Sequence, residues 1–103
     1  MPQHIGIKKI DEEDNEIEAI DVNFAEVVNL LWKKPNFQKE YPWLSTIDPY
    51  GDTIINRAQA PVILEELKKL QKSIQDDELN SKIEEIKNFL SKIDLNYIKF
   101  IGD

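Results

Sequence analysis

His4-Ile5-Gly6-Ile7-Lys8-Lys9-Ile10-Asp11-Glu12-Glu13-Asp14-Asn15-Glu16-Ile17-Glu18-Ala19-Ile20-Asp21-Val22 reads as two short alternating runs on either side of five polar residues. Ile5, Ile7 and Ile10 stand near strand spacing, with Gly6 and two lysines between them. Asp11 to Asn15 supplies turn-forming side chains, and Glu16 to Val22 alternates again with Ile20 and Val22 on one face. Alternation of this kind marks half-buried strands, so the spacing predicts a β-hairpin over residues 4–22. A two-stranded hairpin is marginal by itself in water. The remaining residues must therefore cover its apolar face.

Three segments answer that need. Asn23 is a good N-cap, Glu26 three residues later is a capping-box partner, and Val22 can staple to Val27. Phe24, Val27, Val28 and Leu31 then share one helical face until Pro35 stops the helix. Further on, Ile63, Leu67, Leu70 and Ile74 make one apolar stripe, and Leu79, Ile83, Ile86, Leu90 and Ile93 a second. The short link Gln75-Asp76-Asp77-Glu78 makes these two helices antiparallel neighbours. Asp77 or Asn80 can cap the second, and Glu65–Lys69 and Glu84–Lys87 are spaced to pair. At the end, Tyr97, Ile98, Phe100 and Ile101 favour a strand, with Ile98 and Phe100 inward and Tyr97 and Lys99 outward. The fold class expected is α+β in one domain spanning 1–103. The hairpin is joined by a C-terminal strand and packed against three or four helices, two of them an antiparallel pair.

Residues 35–53 carry Pro35, Pro42, Pro49 and Gly51, yet also Phe37, Tyr41, Trp43, Leu44, Ile47 and Tyr50. A flexible linker would not hold so many large apolar side chains, so a packed loop with short helical turns is expected. Trp32 and Trp43 are expected to complete the core. From Asp48 to Pro61 the polar residues crowd together. Pro49 suits the second position of a turn, Gly51 a positive φ, and Asp52 or Thr53 a helix cap. Because Pro61 breaks the pattern, residues 53–59 read as a separate short helix or a kinked extension. Arg57 could reach back to Asp48 or Asp52, while Asn56 and Gln59 bond backbone. The group Asp48, Asp52, Asn56, Arg57 and Gln59 is thus a structural polar network. The alternative is a small-molecule or catalytic site built on Asp48, Asp52, Asn56 and Arg57.

Other chemistry finds little footing. There is no cysteine. The single histidine, His4, reads as an exposed residue of an edge strand. Counting an EF-hand from Asp48 puts Gln59 where the twelfth position needs glutamate. No phosphate-binding glycine loop or Gly-x-Ser-x-Gly is present. No catalytic residue, metal site or cofactor is therefore assigned, and the chain is not expected to be an enzyme. No signal peptide or run of the ~18 apolar residues needed to cross a membrane is visible, so a cytoplasmic protein is expected.

The formal net charge is −7 over 103 residues. Residues 1–30 hold eight acids against Lys8 and Lys9, whereas residues 31–103 hold twelve acids against eleven bases. The excess therefore sits in the N-terminal third. Such a surface repels nucleic acid and attracts a basic protein. The expected contact residues are Asp11, Glu12, Glu13, Asp14, Glu16 and Glu18 for charge, with Phe37, Trp43 and Tyr50 as anchors. Solubility alone is the simpler use of these charges.

Asp48-Pro49-Tyr50-Gly51-Asp52-Thr53, Asn56-Arg57, Gln59, Leu64-Glu65-Glu66-Leu67 and Phe100-Ile101-Gly102-Asp103 together resemble a group of small stand-alone bacterial proteins of unassigned function. That resemblance implies an N-terminal strand-turn-strand, a polar middle, a helix and a terminal strand ending near Ile-Gly-Asp. In size, charge and lack of catalytic groups the chain also resembles, by type, the acidic immunity proteins of bacterial toxin systems. The expected function is an immunity- or antitoxin-type inhibitor of a basic toxin, such as a nuclease. A structural or regulatory subunit is a further alternative, and the oligomeric state stays open.

Overall fold

A computed structural model describes residues 3–102. Strands β1 (Gly6–Ile10) and β2 (Glu16–Ile20) form the expected hairpin. Two helices follow, α1 (Ala25–Trp32) and the single turn α2 (Phe37–Glu40), and then a 3₁₀ turn over Leu44–Thr46. Strand β3 (Asp52–Ile55), helices α3 (Ala60–Gln71) and α4 (Asp77–Ser91), and strand β4 (Tyr97–Ile101) complete the chain. The sheet order is β2-β1-β4-β3 with every neighbour antiparallel. The fold is α+β, and the C-terminal strand joins the hairpin as the sequence predicts.

Ile7 faces Phe100 and Lys9 faces Ile98 across β1 and β4, and Ile98 in turn faces Ile55 on β3. Ile7, Ile55, Ile98 and Phe100 are buried on the helix side with Val27, Val28, Leu31, Ile63, Leu67, Leu70, Ile83, Ile86 and Leu90. Phe24 packs on Phe100 with ring centroids 5.0 Å apart. Asn23 ties hairpin to helix: its Oδ1 accepts from Ile5 N and Ala25 N, each at 2.9 Å. It therefore satisfies the first N–H of α1, although Phe24 rather than Asn23 stands at the position that opens the helix. Glu26 closes no box with it, because its carboxylate goes to Lys82 of α4 at 2.9 Å.

Several expectations need correction. Residues 52–55 are a strand rather than a helix, since pairing with β4 outweighs any local tendency. Neither Asp52 nor Thr53 caps a helix. Pro61 lies in the first turn of α3, where its missing N–H costs nothing. Asp76 caps α4 by accepting from Glu78 N and Leu79 N, and Asn80 instead donates to Ile74 O. Lys68, not Lys69, pairs with Glu65. β1 is a central strand, and His4 lies exposed just before it rather than on an edge strand. Asp103, the last residue of the quoted ending, lies outside the described residues.

Two charged side chains that the pattern did not mark hold the layers together. Lys9 is 8% exposed and points to the helix side of the sheet. Its ammonium donates to Lys92 O at the C-terminal end of α4 (2.7 Å), and lies 3.5 Å from Glu18 and 5.5 Å from the Phe89 ring centre. A cation there complements the helix dipole. Glu66 on α3 is 9% exposed and accepts from Trp43 N (3.1 Å) and Leu44 N (2.8 Å), capping the 3₁₀ turn. One turn along α3, Lys69 donates to Glu40 O at the end of α2 and sits 4.8 Å from the Tyr41 ring centre. These two side chains fasten residues 37–47 to α3.

Candidate functional site

The acidic turn between β1 and β2 is built by its own side chains. Asp11 accepts from Glu13 N and Asn15 N, each at 2.9 Å, and from Asn15 Nδ2 at 3.1 Å. The backbone N–H of Asn15, followed by its side-chain amide, holds the Asp11 carboxyl below its ordinary range. Asp14 takes a left-handed φ of 66°, a conformation that aspartate tolerates, and lets the chain reverse. The turn leans far enough over the sheet for Asp14 to meet Lys99 of β4 at 3.2 Å. Lys99 also lies 3.7 Å from Asp52. Of the six acids proposed for recognition, Asp14 and Glu18 are thus answered by lysines of the sheet. Glu12, Glu13 and Glu16 are exposed and form no ion pair within 4 Å among the described residues.

Strand alternation sends Lys8, Ile10, Ile54, Tyr97 and Lys99 to the sheet face away from the core helices. Ile10 is only 2% exposed there, but Ile54 is 52% exposed. A dimple of about 240 Å³ lies between Ile10, Ile54 and Tyr97, and Asp11, Glu12 and Asp14 form its rim. Two clefts adjoin it. One, of about 390 Å³, lies between Glu12, Asn56, Arg57, Asn96 and Tyr97. The other, of about 370 Å³, lies between Asp11, Glu13, Leu95 and Asn96 and also includes Glu12. Glu12 borders all three hollows. On β2, Ile17 is the extra residue at an irregularity opposite Lys9 and Ile10, and it is 51% exposed.

The crowded stretch from Asp48 to Pro61 divides in two. At one end of β3, Asp48 N donates to Thr53 Oγ1 and Asp48 Oδ1 accepts from Tyr50 N, each at 2.9 Å. Gly51 O accepts from Gly102 N at 2.8 Å, so the two outer pieces of the quoted pattern, 48–53 and 100–102, meet. Gly51 has no positive φ, contrary to expectation. It is small because a Cβ there would come within 2.7 Å of Asp48 Oδ2. At the other end of β3, Asn56 Oδ1 accepts from Ala58 N and Gln59 N while Gln59 Oε1 accepts from Asn56 N. That reciprocal pair closes a capping-box arrangement on the turn of residues 57–59 that leads into α3, a signal present in the sequence as Asn-x-x-Gln.

β3 separates these halves by roughly 13 Å at ~3.3 Å per residue. Asp48 and Asp52 therefore do not converge with Asn56 and Arg57 on one pocket. Arg57 is exposed and pairs with neither aspartate among the described residues; Asp52 lies by Lys99 instead. The three aromatic anchors also lie apart from the acidic turn. Phe37 packs partly buried against the core, and Trp43 adjoins α3 through the Glu66 bond. Tyr50 is exposed at the Gly102 end of the sheet. Trp43 and Trp32 are both more than a third exposed, so neither completes the core.

No group of three His, Cys, Asp or Glu among the described residues is placed to hold a metal ion. Among the described residues no helix is long and apolar enough to cross a membrane. Comparison with known proteins finds no match to a family model, a curated protein or a solved structure.

Proposed function

We propose that this chain is an acidic protein-recognition module that binds a basic protein partner, and that the partner is a toxin domain which it neutralises. The observation that carries this reading is the trio Glu12, Glu13 and Glu16. These carboxylates are exposed and lack ion pairs among the described residues; Glu12 and Glu13 lie on the turn and Glu16 opens β2 beside it, while Glu12 borders three hollows and Glu13 one of them. Unanswered like charges on and beside one turn raise the local potential, which speeds encounter with a basic surface. Apolar side chains next to them supply the contact that keeps the partner bound. The separation of Asp48 and Asp52 from Asn56 and Arg57 leaves the small-molecule alternative without a shared pocket.

The test is affinity capture from native lysate with the intact chain and with a Glu12→Lys, Glu13→Lys, Glu16→Lys variant. A basic protein held by the first, released by raised salt and lost with the second supports the reading. Co-expression should then relieve that partner's toxicity. Equal capture by both chains contradicts it.

A further inference from the structure

The hollow between Ile10, Ile54 and Tyr97 has an unusual make-up for the solvent side of a sheet. Its floor and walls are apolar side chains and its rim is three carboxylates, Asp11, Glu12 and Asp14. Its volume, about 240 Å³, suits one large side chain rather than a small-molecule ligand buried on most of its surface. Ile54 keeps half its surface in water on a short edge strand, where a polar residue would protect the edge better.

The rim carboxylates are not equivalent. Asp11 is occupied by its own turn, and Asp14 is held by Lys99 at 3.2 Å. Glu12 is left to meet an incoming cation. A second copy of this chain is a poor occupant, because the same carboxylates would face each other across the contact. Nucleic acid and anionic lipid are repelled for the same reason.

We infer that this dimple seats one aliphatic or aromatic side chain of a basic protein partner, with a flanking lysine or arginine of that partner bound to Glu12. The inference rests on the protein-recognition reading and gives it a place of contact: the open sheet face, not the Phe37, Trp43 and Tyr50 surfaces.

The experiment uses the isotope-labelled chain and three capped pentapeptides followed by NMR. One has leucine between two lysine–arginine pairs. The second replaces that leucine by serine, and the third replaces the basic residues by glutamate. The leucine-centred basic peptide should bind on the order of fivefold tighter than the serine-centred one. Its shifts should centre on Ile10, Ile54 and Tyr97. Ile54→Ser and Glu12→Gln should each weaken binding, while Glu85→Gln on the far side should not. The glutamate peptide should not bind. Equal affinity for leucine and serine, or shifts centred elsewhere, overturns the dimple. In that case salt-sensitive binding of either basic peptide still leaves the recognition reading standing. Absence of salt-sensitive binding by both basic peptides overturns the recognition reading as well. Glu12→Gln touches no packing, so its result holds even if Ile54→Ser fails to fold.

Discussion

Gly102 has no room for a β-carbon. One built there would lie 2.5 Å from Pro49 O and 2.7 Å from Gly51 N, both backbone atoms. Gly51 is tight in a different way, because the atom in its path is the end of the Asp48 side chain. Backbone cannot swing aside as a carboxylate can. Gly102→Ala should therefore cost about 1–3 kcal/mol, as overpacking does. Gly51→Ala should cost about 1 kcal/mol, the scale of the Asp48–Tyr50 hydrogen bond it would disturb. Urea unfolding of both variants checks the order, and equal losses would contradict it. Tyr41 gives a second residue-level expectation. Burial first, and then the charges of Glu40 and Glu66, raise its phenol above the ordinary 10.0. A phenol raised by folding contributes stability below its unfolded pKa. That contribution is lost as pH rises through the folded pKa. Tyr41→Phe should therefore gain on the natural chain above about pH 10 in urea midpoints. A constant gap between the two chains from neutral to alkaline pH would contradict the burial.

At the scale of elements, the legible parts were those whose signals are local or periodic. The hairpin, α1, the α3–α4 pair and the terminal strand all carry apolar spacing that names their inward face. β3 carries no such periodicity. Asp52-Thr53-Ile54-Ile55 is too short to alternate convincingly, and its pairing with Tyr97–Ile101 joins residues more than forty positions apart. Its β-branched run between Gly51 and Asn56 was the available clue. The reciprocal Asn56–Gln59 pair was legible too, but it shapes the turn that leads into α3 rather than a site. Glu66 and Lys9 were not legible, because a charged residue on an amphipathic element ordinarily faces water and only the fold supplies a backbone partner. Glu66→Gln tests the clamp on residues 37–47. One arm of the new amide would face a backbone N–H, leaving Trp43 N or Leu44 N without an acceptor. A loss of about 1–3 kcal/mol is expected, with a change in tryptophan emission. Unchanged stability would mean that the 3₁₀ turn holds without its cap.

Over the whole molecule, charge and apolar exposure coincide in one place. The core helices cover one face of the sheet. The other face keeps Ile54 and Tyr97 beside a turn whose carboxylates are only partly answered. This locates the acidic excess seen in composition, and it narrows it. Lysines on β1 and β4 answer Glu18 and Asp14, and Lys82 answers Glu26, so of the acids on and beside the turn Asp11 serves the turn's backbone while Glu12, Glu13 and Glu16 keep no ion pair among the described residues. The exposed aromatics Trp43 and Tyr50 belong to other parts of the surface, and sequence spacing gave no way to see that separation. The sharpest measurement is the association rate of the captured basic partner with the natural chain and with the Glu12→Lys, Glu13→Lys, Glu16→Lys variant across ionic strength. The account predicts an on-rate at least about tenfold slower for the variant at low salt, with the two rates converging as salt is raised. Equal on-rates at low salt would contradict it.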